Sequence, residues 1–396
     1  MLCLDIEGGH GGSSRSLYES LRGMDRAAVQ LEVWCRRNGV IRDRYRALGI
    51  TCRIVPGIPK MNAWRRASRN LIGFSILVRD FLRWRAQRNE LARIIRERFD
   101  VVHFNHEGLA WLASSLRKQH DCAQVMHVRT MMVDRVFGRW QARKIAAAAD
   151  RIVFISENEK ANFVKLTGKH PAGSVIYNIA SPPPSERDAR VSHDGRFNIA
   201  ALSNYAFVRG TDRIVEVAEE LKARGRQKIR FVVAGDLTLP RNLPGELGKI
   251  ARAGGTLADF AASRGVADMF LFLGHVGEPE RVLAACDALI KLTREANPWG
   301  RDILEALAAS KPVLSIGRYA RFVENDVTGF LFSNYDVKVV ADAIELLEAD
   351  RAKAEQLGAN GARRVAELCN SGMRARDLLD VWRQAAAARA RQGVDG

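Results

Sequence analysis

The 396 residues exceed what one ordinary core supports and point to two domains of roughly 150 to 200 residues each. A balance of 47% hydrophobic and 27% charged residues excludes wholesale disorder, and no run reaches the roughly 18 apolar residues of a membrane span. The net charge of +17 calls for an anionic partner, which leaves nucleic acid, anionic lipid and phosphorylated substrates open.

The opening residues, MLCLDIEGGHGG, carry no basic segment and too short an apolar run for a signal peptide. Six scattered cysteines without a C-x-x-C pair read as reduced thiols, so a cytoplasmic location is expected, with neither a zinc site nor a disulfide framework. Met1 to Ile6 reads as a strand entering a glycine-rich turn. There Gly8, Gly9, Gly11 and Gly12 allow close backbone approach to a ligand, and Ser13 or Ser14 can cap the next helix. This unit reads as a phosphate cradle and equally as a tight strand-to-helix turn; it is neither G-x-G-x-x-G nor a Walker A loop.

Strand-like runs recur at Val29 to Cys35, Thr51 to Val55, Asp100 to Phe104, Ala123 to Val128, Arg151 to Ser156 and Ser174 to Asn178. Helix-period segments separate most of them, which predicts an α/β fold with a doubly wound parallel sheet. Ligands of such sheets bind at the carboxyl ends of the strands. Residues 60–98 stand apart, with eleven Lys or Arg against Asp80, Glu90 and Glu97, a net +8. Trp64, Leu71, Ile72, Phe74, Leu77, Phe81 and Trp84 interleave with these charges. A basic amphipathic helix with boundary aromatics fits an anionic membrane surface, and equally a solvated helix packing one stripe on its own sheet. No recognition-helix, zinc-finger or RNA-binding signature is present, so nucleic acid is not the expected partner.

His127 closes the run Ala123 to Val128 and suits a hydrogen bond to a hydroxyl or departing phosphate at neutral pH, with Arg129 as its rival. His103 and His106 have a spacing that could ligate metal, but without a cysteine or third ligand nearby a turn or acceptor-pocket role reads better. The proline-bearing stretch 180–196 reads as a linker between a first domain, 1–179, and a second, 197–372; residues 373–396 form a long basic helix.

In the second domain a strand ends near Leu202 and a helix starts about Thr211, just after Arg209 and Gly210. Arg230 to Asp236 is a core strand, and MFLFLGHVGEPERVLAACDALIKL gives strand, turn, helix and strand. Between Lys291 and Gly317 a strand end is followed by a turn on Pro298 and Gly300 and a helix opening near Arg301. Its first turn presents Asp302, Glu305 and unpaired backbone N–H groups, an anion site beside a carboxylate that suits a ligand with both phosphate and polyol. Glu305 reads equally as a first-turn residue favoured by the helix dipole.

The run PWGRDILEALAASKPV, Pro298 to Val313, resembles the donor-site signature of the retaining glycosyltransferases of family 4. The second Glu of that signature falls on Glu305 and the first on Asn297, a departure that Glu295 can offset. The resemblance implies a GT-B fold of two Rossmann-like domains facing across a cleft, with a nucleotide-sugar donor held mainly by the second. It implies that Arg209 and Asn204 stand at the two cation positions for the donor diphosphate, Asn204 without the charge. Gly274, His275 and Val276 would lie beside the base, Glu305 would take the ribose hydroxyls, and Pro298, Trp299, Gly300 and Arg301 would shape the donor turn. Gly11 and Gly12 would face the donor, His127 would sit near the reacting carbon, and the last helix would cross back to the first domain. No metal or other cofactor is implied. The expected acceptor is a saccharide or lipid-linked acceptor of cell-surface polysaccharide or lipopolysaccharide synthesis, met peripherally at the inner face of the plasma membrane. A GT-B nucleotide-sugar epimerase and a non-catalytic nucleotide-sugar-binding protein are the alternatives.

Overall fold

The computed structural model describes residues 1–6, 8, 11–59, 71–119, 122–180, 185–192 and 194–392. The expectations that fall on Gly9, on residues 60–70 including Trp64, and on the three consecutive prolines of the linker lie outside the described residues, as do those on the side chains of Ile72 and Leu77. The chain divides into two units, Met1–Ile179 with Ser371–Gly396, and Ala180–Asn370.

The first unit is built on β1 (Leu2–Asp5), β2 (Glu32–Cys35), β3 (Thr51–Ile54), β4 (Val101–Phe104), β5 (Ala123–Val128), β6 (Arg151–Phe154) and β7 (Gly173–Val175). All pairs are parallel, in the order β3-β2-β1-β4-β5-β6-β7. Both faces of such a sheet must be covered, and the two-residue period sends alternate side chains into two cores. Leu2, Leu4, Val102, Phe104, Met126 and Val128 meet Leu91, Ala92 and Ile95 of the helix Leu71–Arg98 on one face. Cys3, Val33, Val101 and Val125 meet Leu378, Trp382 and Ala385 of the helix Ser371–Gln392 on the other. The last helix therefore completes the first unit's core. Strand direction of travel reverses between β1 and β4, the position where ligand crevices form in open α/β sheets.

The second unit carries β8 (Phe197–Leu202), β9 (Ile229–Ala234), β10 (Phe270–Gly274), β11 (Ala288–Lys291), β12 (Val313–Ile316) and β13 (Gly329–Phe332). Their order is β10-β9-β8-β11-β12-β13, again parallel, with the reversal between β8 and β11. Much of the stretch expected as linker is fastened to this unit. Val191 is buried, the Asp188 N–H donates to the Arg281 carbonyl at 3.0 Å, and Arg230 donates to Ser192 Oγ at 2.7 Å. No helix among the described residues is long and apolar enough to cross a membrane.

Candidate active site

In the second unit the loops that leave β8 and β11 are knitted together at the reversal point. The Arg294 N–H and the Thr293 hydroxyl donate to the Val208 carbonyl at 2.8 and 3.0 Å. The Arg294 guanidinium donates to both carboxylate oxygens of buried Asp212, at 2.9 and 2.5 Å, and lies 3.9 Å from the centre of the Phe207 ring. Gly210 closes the Phe207–Arg209 turn at φ +69°, where a Cβ would come within 1.9 Å of the Leu292 carbonyl oxygen. The turn is thus seated on the β11 loop, and Arg209 is presented at the surface with one nitrogen 2.9 Å from Ser203 Oγ. Asn204, expected at the second cation position, uses its side-chain oxygen to accept from the Asp236 N–H at 2.8 Å. That bond brackets the ends of β8 and β9. Gly274, His275 and Val276 follow edge strand β10, and the Gly274 carbonyl accepts from the Gly235 N–H at 2.7 Å.

The helix Arg301–Ala308 opens at Gly300 with no side-chain bond from the N-cap residue, and within its first turn the Ile303 N–H donates to Asp302 Oδ1 at 3.0 Å. Three contacts hold the turn before it. Lys291 donates to the Trp299 carbonyl at 2.9 Å and to Asp302 Oδ1 at 3.0 Å, and Asn297 Oδ1 accepts from the Trp299 N–H at 3.4 Å. Gly317, at φ +152°, lies under the turn; a Cβ there would sit 2.4 Å from Pro298 Cδ. Trp299 itself packs edge-on against Tyr319 with ring centres 5.3 Å apart. Glu305 is buried, 6% exposed, and its Oε1 accepts from Arg301 at 2.6 Å. The carboxylate is therefore already oriented by a neighbouring cation one turn back. Glu295 is exposed on the same loop.

In the first unit, register places Asp5, Asn105 and His127 in one row, immediately beyond the paired residues Leu4, Phe104 and Met126. The helix Gly12–Arg22 has Gly11 as its N-cap, with no side-chain cap. Instead of capping it, Ser14 donates to Asp5 Oδ1 at 2.8 Å, while Asn105 Nδ2 donates to the Ser13 carbonyl at 3.0 Å. Gly11 and Gly12 are thereby drawn to the carboxyl end of the sheet. β5 runs one residue past His127, whose ring stands 5.5 Å from that of His103, edge to face. Burial first, and the Arg129 guanidinium second, hold the His127 pKa well below its ordinary value. Neither His127 ring nitrogen has a hydrogen-bond partner among the described residues.

Arg129 is a buried bracket: it donates to the Asn105 carbonyl at 2.9 Å, to Asn105 Oδ1 at 2.5 Å and to Asn178 Oδ1 at 3.1 Å. Its own N–H donates to Glu107 Oε2 at 3.0 Å, and the Thr130 hydroxyl donates to the other oxygen of that carboxylate. His103 Nδ1 accepts from the Trp382 indole at 3.1 Å, and His106 Nδ1 accepts from the Gly108 N–H at 2.9 Å. Both of these histidines do local structural work, and no group of three or more His, Cys, Asp or Glu is gathered for a metal among the described residues.

The structure thus gathers Arg209, Asn204, Glu295, Asn297, Pro298, Trp299, Gly300, Arg301, Glu305 and Gly274–Val276 at the carboxyl edge of the second sheet. Gly11, Gly12, His127 and Arg129 gather at the carboxyl edge of the first. Sequence reasoning missed Lys291, Arg294, Asp212, Asn105 and Glu107.

Residues 10–180 match the family model Glycosyltransferase Family 4, and residues 184–364 match Glycosyl transferases group 1. The chain belongs to glycosyltransferase family 4. The GDP-mannose-dependent alpha-(1-6)-phosphatidylinositol monomannoside mannosyltransferase of Mycobacterium tuberculosis is 28% identical to this chain over 273 residues. That match covers 62% of this family 4 chain and 65% of the mannosyltransferase, so the chain spans less than two thirds of that relative's length. A D-inositol 3-phosphate glycosyltransferase of Kineococcus radiotolerans is 25% identical over 346 residues, 77% of this chain and 76% of that one. Among solved structures, Anabaena HepE in complex with UDP superposes with a TM-score of 0.73 at 16% identity, covering 96% of this chain and 98% of HepE. Sucrose-phosphate synthase of Thermosynechococcus elongatus gives 0.71 at 17%, with coverage of 98% and 100%. The two Rossmann-like parallel-sheet units are those of the GT-B fold.

Proposed function

We propose that this family 4 chain transfers a glycosyl group from a nucleoside diphosphate sugar to a saccharide or lipid-linked acceptor, with retention at the anomeric carbon and without a metal. One observation carries the reading. Surface-presented Arg209 and the uncapped helix start at Gly300 lie at the carboxyl ends of the neighbouring strands β8 and β11, beside the buried Glu305 carboxylate. A diphosphate has two needs there, charge neutralisation and N–H donors, and this edge supplies both.

The chemical barrier is departure of the diphosphate from a sugar gaining positive charge. Arg209 and the amides after Gly300 stabilise the charge that builds on the leaving phosphate, a kind of contact whose removal costs about 100- to 1,000-fold in rate. Glu305, oriented by Arg301, accepts the ribose hydroxyls. Asn297 offers an amide that donates to and accepts from sugar hydroxyls. In the first unit His127, kept neutral by burial, stands at the carboxyl end of β5 with one ring nitrogen able to donate and the other to accept.

The finer reading of the acceptor rests on the helix Leu71–Arg98. Leu71, Phe74 and Leu82 are 88%, 55% and 58% exposed, and Arg79, Arg83 and Arg85 stand exposed among them. An exposed apolar stripe edged with guanidinium groups fits an anionic bilayer surface, and this supports the reading of a chain held peripherally on the inner face of the plasma membrane in cell-surface polysaccharide or lipopolysaccharide synthesis. The lipid named in the mycobacterial relative's activity agrees with this reading.

The test is calorimetric titration with UDP, GDP, ADP and their sugars, followed by product analysis with and without acceptor. One nucleotide should bind, and transfer should require the acceptor. A product formed without acceptor would make the chain an epimerase, binding without turnover would make it a binding protein, and no nucleotide binding would overturn the donor-site assignment.

A further inference from the structure

A second uncovered apolar surface lies on the first unit, apart from the stripe just described. Val136 is 87% exposed, and Met131, Val133 and Trp140 are 42%, 38% and 37% exposed. Arg135, Arg139, Arg143 and Lys144 are all exposed beside them, against one acid, Asp134, which Arg139 and Lys165 already neutralise. The surface is built, not loose. Met132 points inward and is buried, its carbonyl accepts from Asn162 Nδ2 at 2.9 Å, and the Arg135 N–H donates to the Val133 carbonyl at 2.8 Å. The Phe137 and Trp140 rings stack with centres 5.6 Å apart, and Lys144 lies 6.0 Å from the Trp140 ring centre.

The placement of this surface is set by the fold. The segment continues directly from β5, whose carboxyl end carries His127 and Arg129, and leads into the helix Val136–Ala148. The helix Leu71–Arg98 precedes β4 and so starts at the same carboxyl edge. Its Phe81 and Trp84 pack on Trp111, one residue into the helix Ala110–Gln119, with ring centres 6.0 Å apart in both pairs. Residues 71–80 therefore extend beyond that edge, by about 15 Å at 1.5 Å per residue. Both apolar surfaces thus overhang one end of one sheet, on the face of that sheet whose core also includes Leu91, Met132 and Phe137.

We propose that Met131–Trp140 is a second membrane anchor: it inserts Met131, Val133 and Val136 among the acyl chains of an anionic bilayer, with Trp140 at the headgroup level. The proposal rests on the membrane reading of the helix Leu71–Arg98. Two separated apolar contacts ringed by guanidinium and ammonium groups fix the tilt of the first unit on the bilayer, which a single helix leaves free to roll. The β5 loop is then held at the headgroup plane, and a lipid-linked acceptor presents its polar end to the carboxyl edge of β5 without leaving the bilayer.

The test is co-sedimentation of the full chain with phosphatidylcholine vesicles, with and without phosphatidylglycerol, together with quenching of Trp140 by brominated lipid, taken as the difference from a Trp140→Phe variant. A Met131→Asp/Val136→Asp variant should partition about tenfold more weakly into the anionic vesicles, the scale set by withholding one valine from an apolar phase. It should lose the Trp140 quenching and keep nucleotide binding and melting temperature. If that variant partitions like the wild type while Leu71→Asp/Phe74→Asp/Leu82→Asp does not, the second anchor is overturned and the helix reading stands. If the wild-type chain does not bind anionic vesicles at all, both fall.

Discussion

Removing Arg294 should loosen the nucleotide site without touching the nucleotide. Its guanidinium makes two charge-assisted bonds to Asp212 and one, at 2.6 Å, to the Phe207 carbonyl. The side chain of Asp212 is 3% exposed and that of Arg294 22%. Breaking a buried pair from one side costs about 3–5 kcal/mol, chiefly because the other charge is left unpaired. Partial exposure of Arg294 lets water reach the cavity, which places Arg294→Ala near the lower limit, about 3 kcal/mol. Asp212→Asn in the Arg294→Ala background removes the stranded charge, so the double variant should recover about 1–2 kcal/mol. Urea unfolding with hydrogen exchange read over residues 197–223 isolates the second unit. Because the Arg294 guanidinium also donates to the Phe207 carbonyl and stacks on the Phe207 ring, its loss frees the turn that presents Arg209, and nucleotide affinity should fall about tenfold. A loss below about 1 kcal/mol, or strictly additive variants, would refute the clamp.

Other outcomes follow from the same geometry. Arg209→Ala should lower initial transfer rates about 100-fold with an unchanged melting temperature, whereas Glu305→Gln, which preserves shape beside Arg301, should act mainly by weakening nucleotide binding in calorimetry. Gly317→Ala should push Pro298 aside and cost about 1–2 kcal/mol in denaturant unfolding while raising the donor KM. Asn297→Glu should leave turnover with an ordinary hexose donor little changed; a large gain would mean that the wild-type site is impaired. Burial holds His103 down to about 3 against an ordinary 6.5, so the unfolded chain binds its proton first. Stability should be full above pH 6.5 and fall as the pH drops toward 3, by about 2 kcal/mol at pH 5. His103→Gln should flatten that slope in urea unfolding measured across the range.

Both sheets were legible because their strands are short apolar runs separated by helical periods. Ala123–Val128 and Phe197–Leu202 show this best. Boundaries slid elsewhere, as at Glu32–Cys35, where Val29 and Leu31 are apolar but lie before the residues that pair with β1 and β3. Arg209, Glu305 and the Gly300 turn stood out as candidates because local chemistry, a helix start and its flanking charges, is written contiguously. The clamps did not. Arg294 meets Asp212 from 82 positions away, Lys291 reaches Asp302 across a turn, and Arg129 finds Asn105 just past β4 and Asn178 just past β7. Such pairings depend on strand order, which periodicity does not encode. Asn204 adds a contact of the same kind: at the position of a phosphate-binding cation, its side-chain oxygen accepts from the Asp236 N–H 32 positions away.

Synthesis order gives the helix Ser371–Gln392 a further meaning. Trp382 and Ala385 close a core that includes Cys3, Val33 and Val125, yet they leave the ribosome after the whole second unit. At about 5–20 residues per second, the interval between Ile179 and Ser371 is roughly 10 to 40 seconds. During that time one face of the first sheet, with the His103 and His127 rings, waits uncovered in the nascent chain while the second unit is free to fold. The first unit is consequently the last to finish, and its exposed sheet is the surface a chaperone would meet.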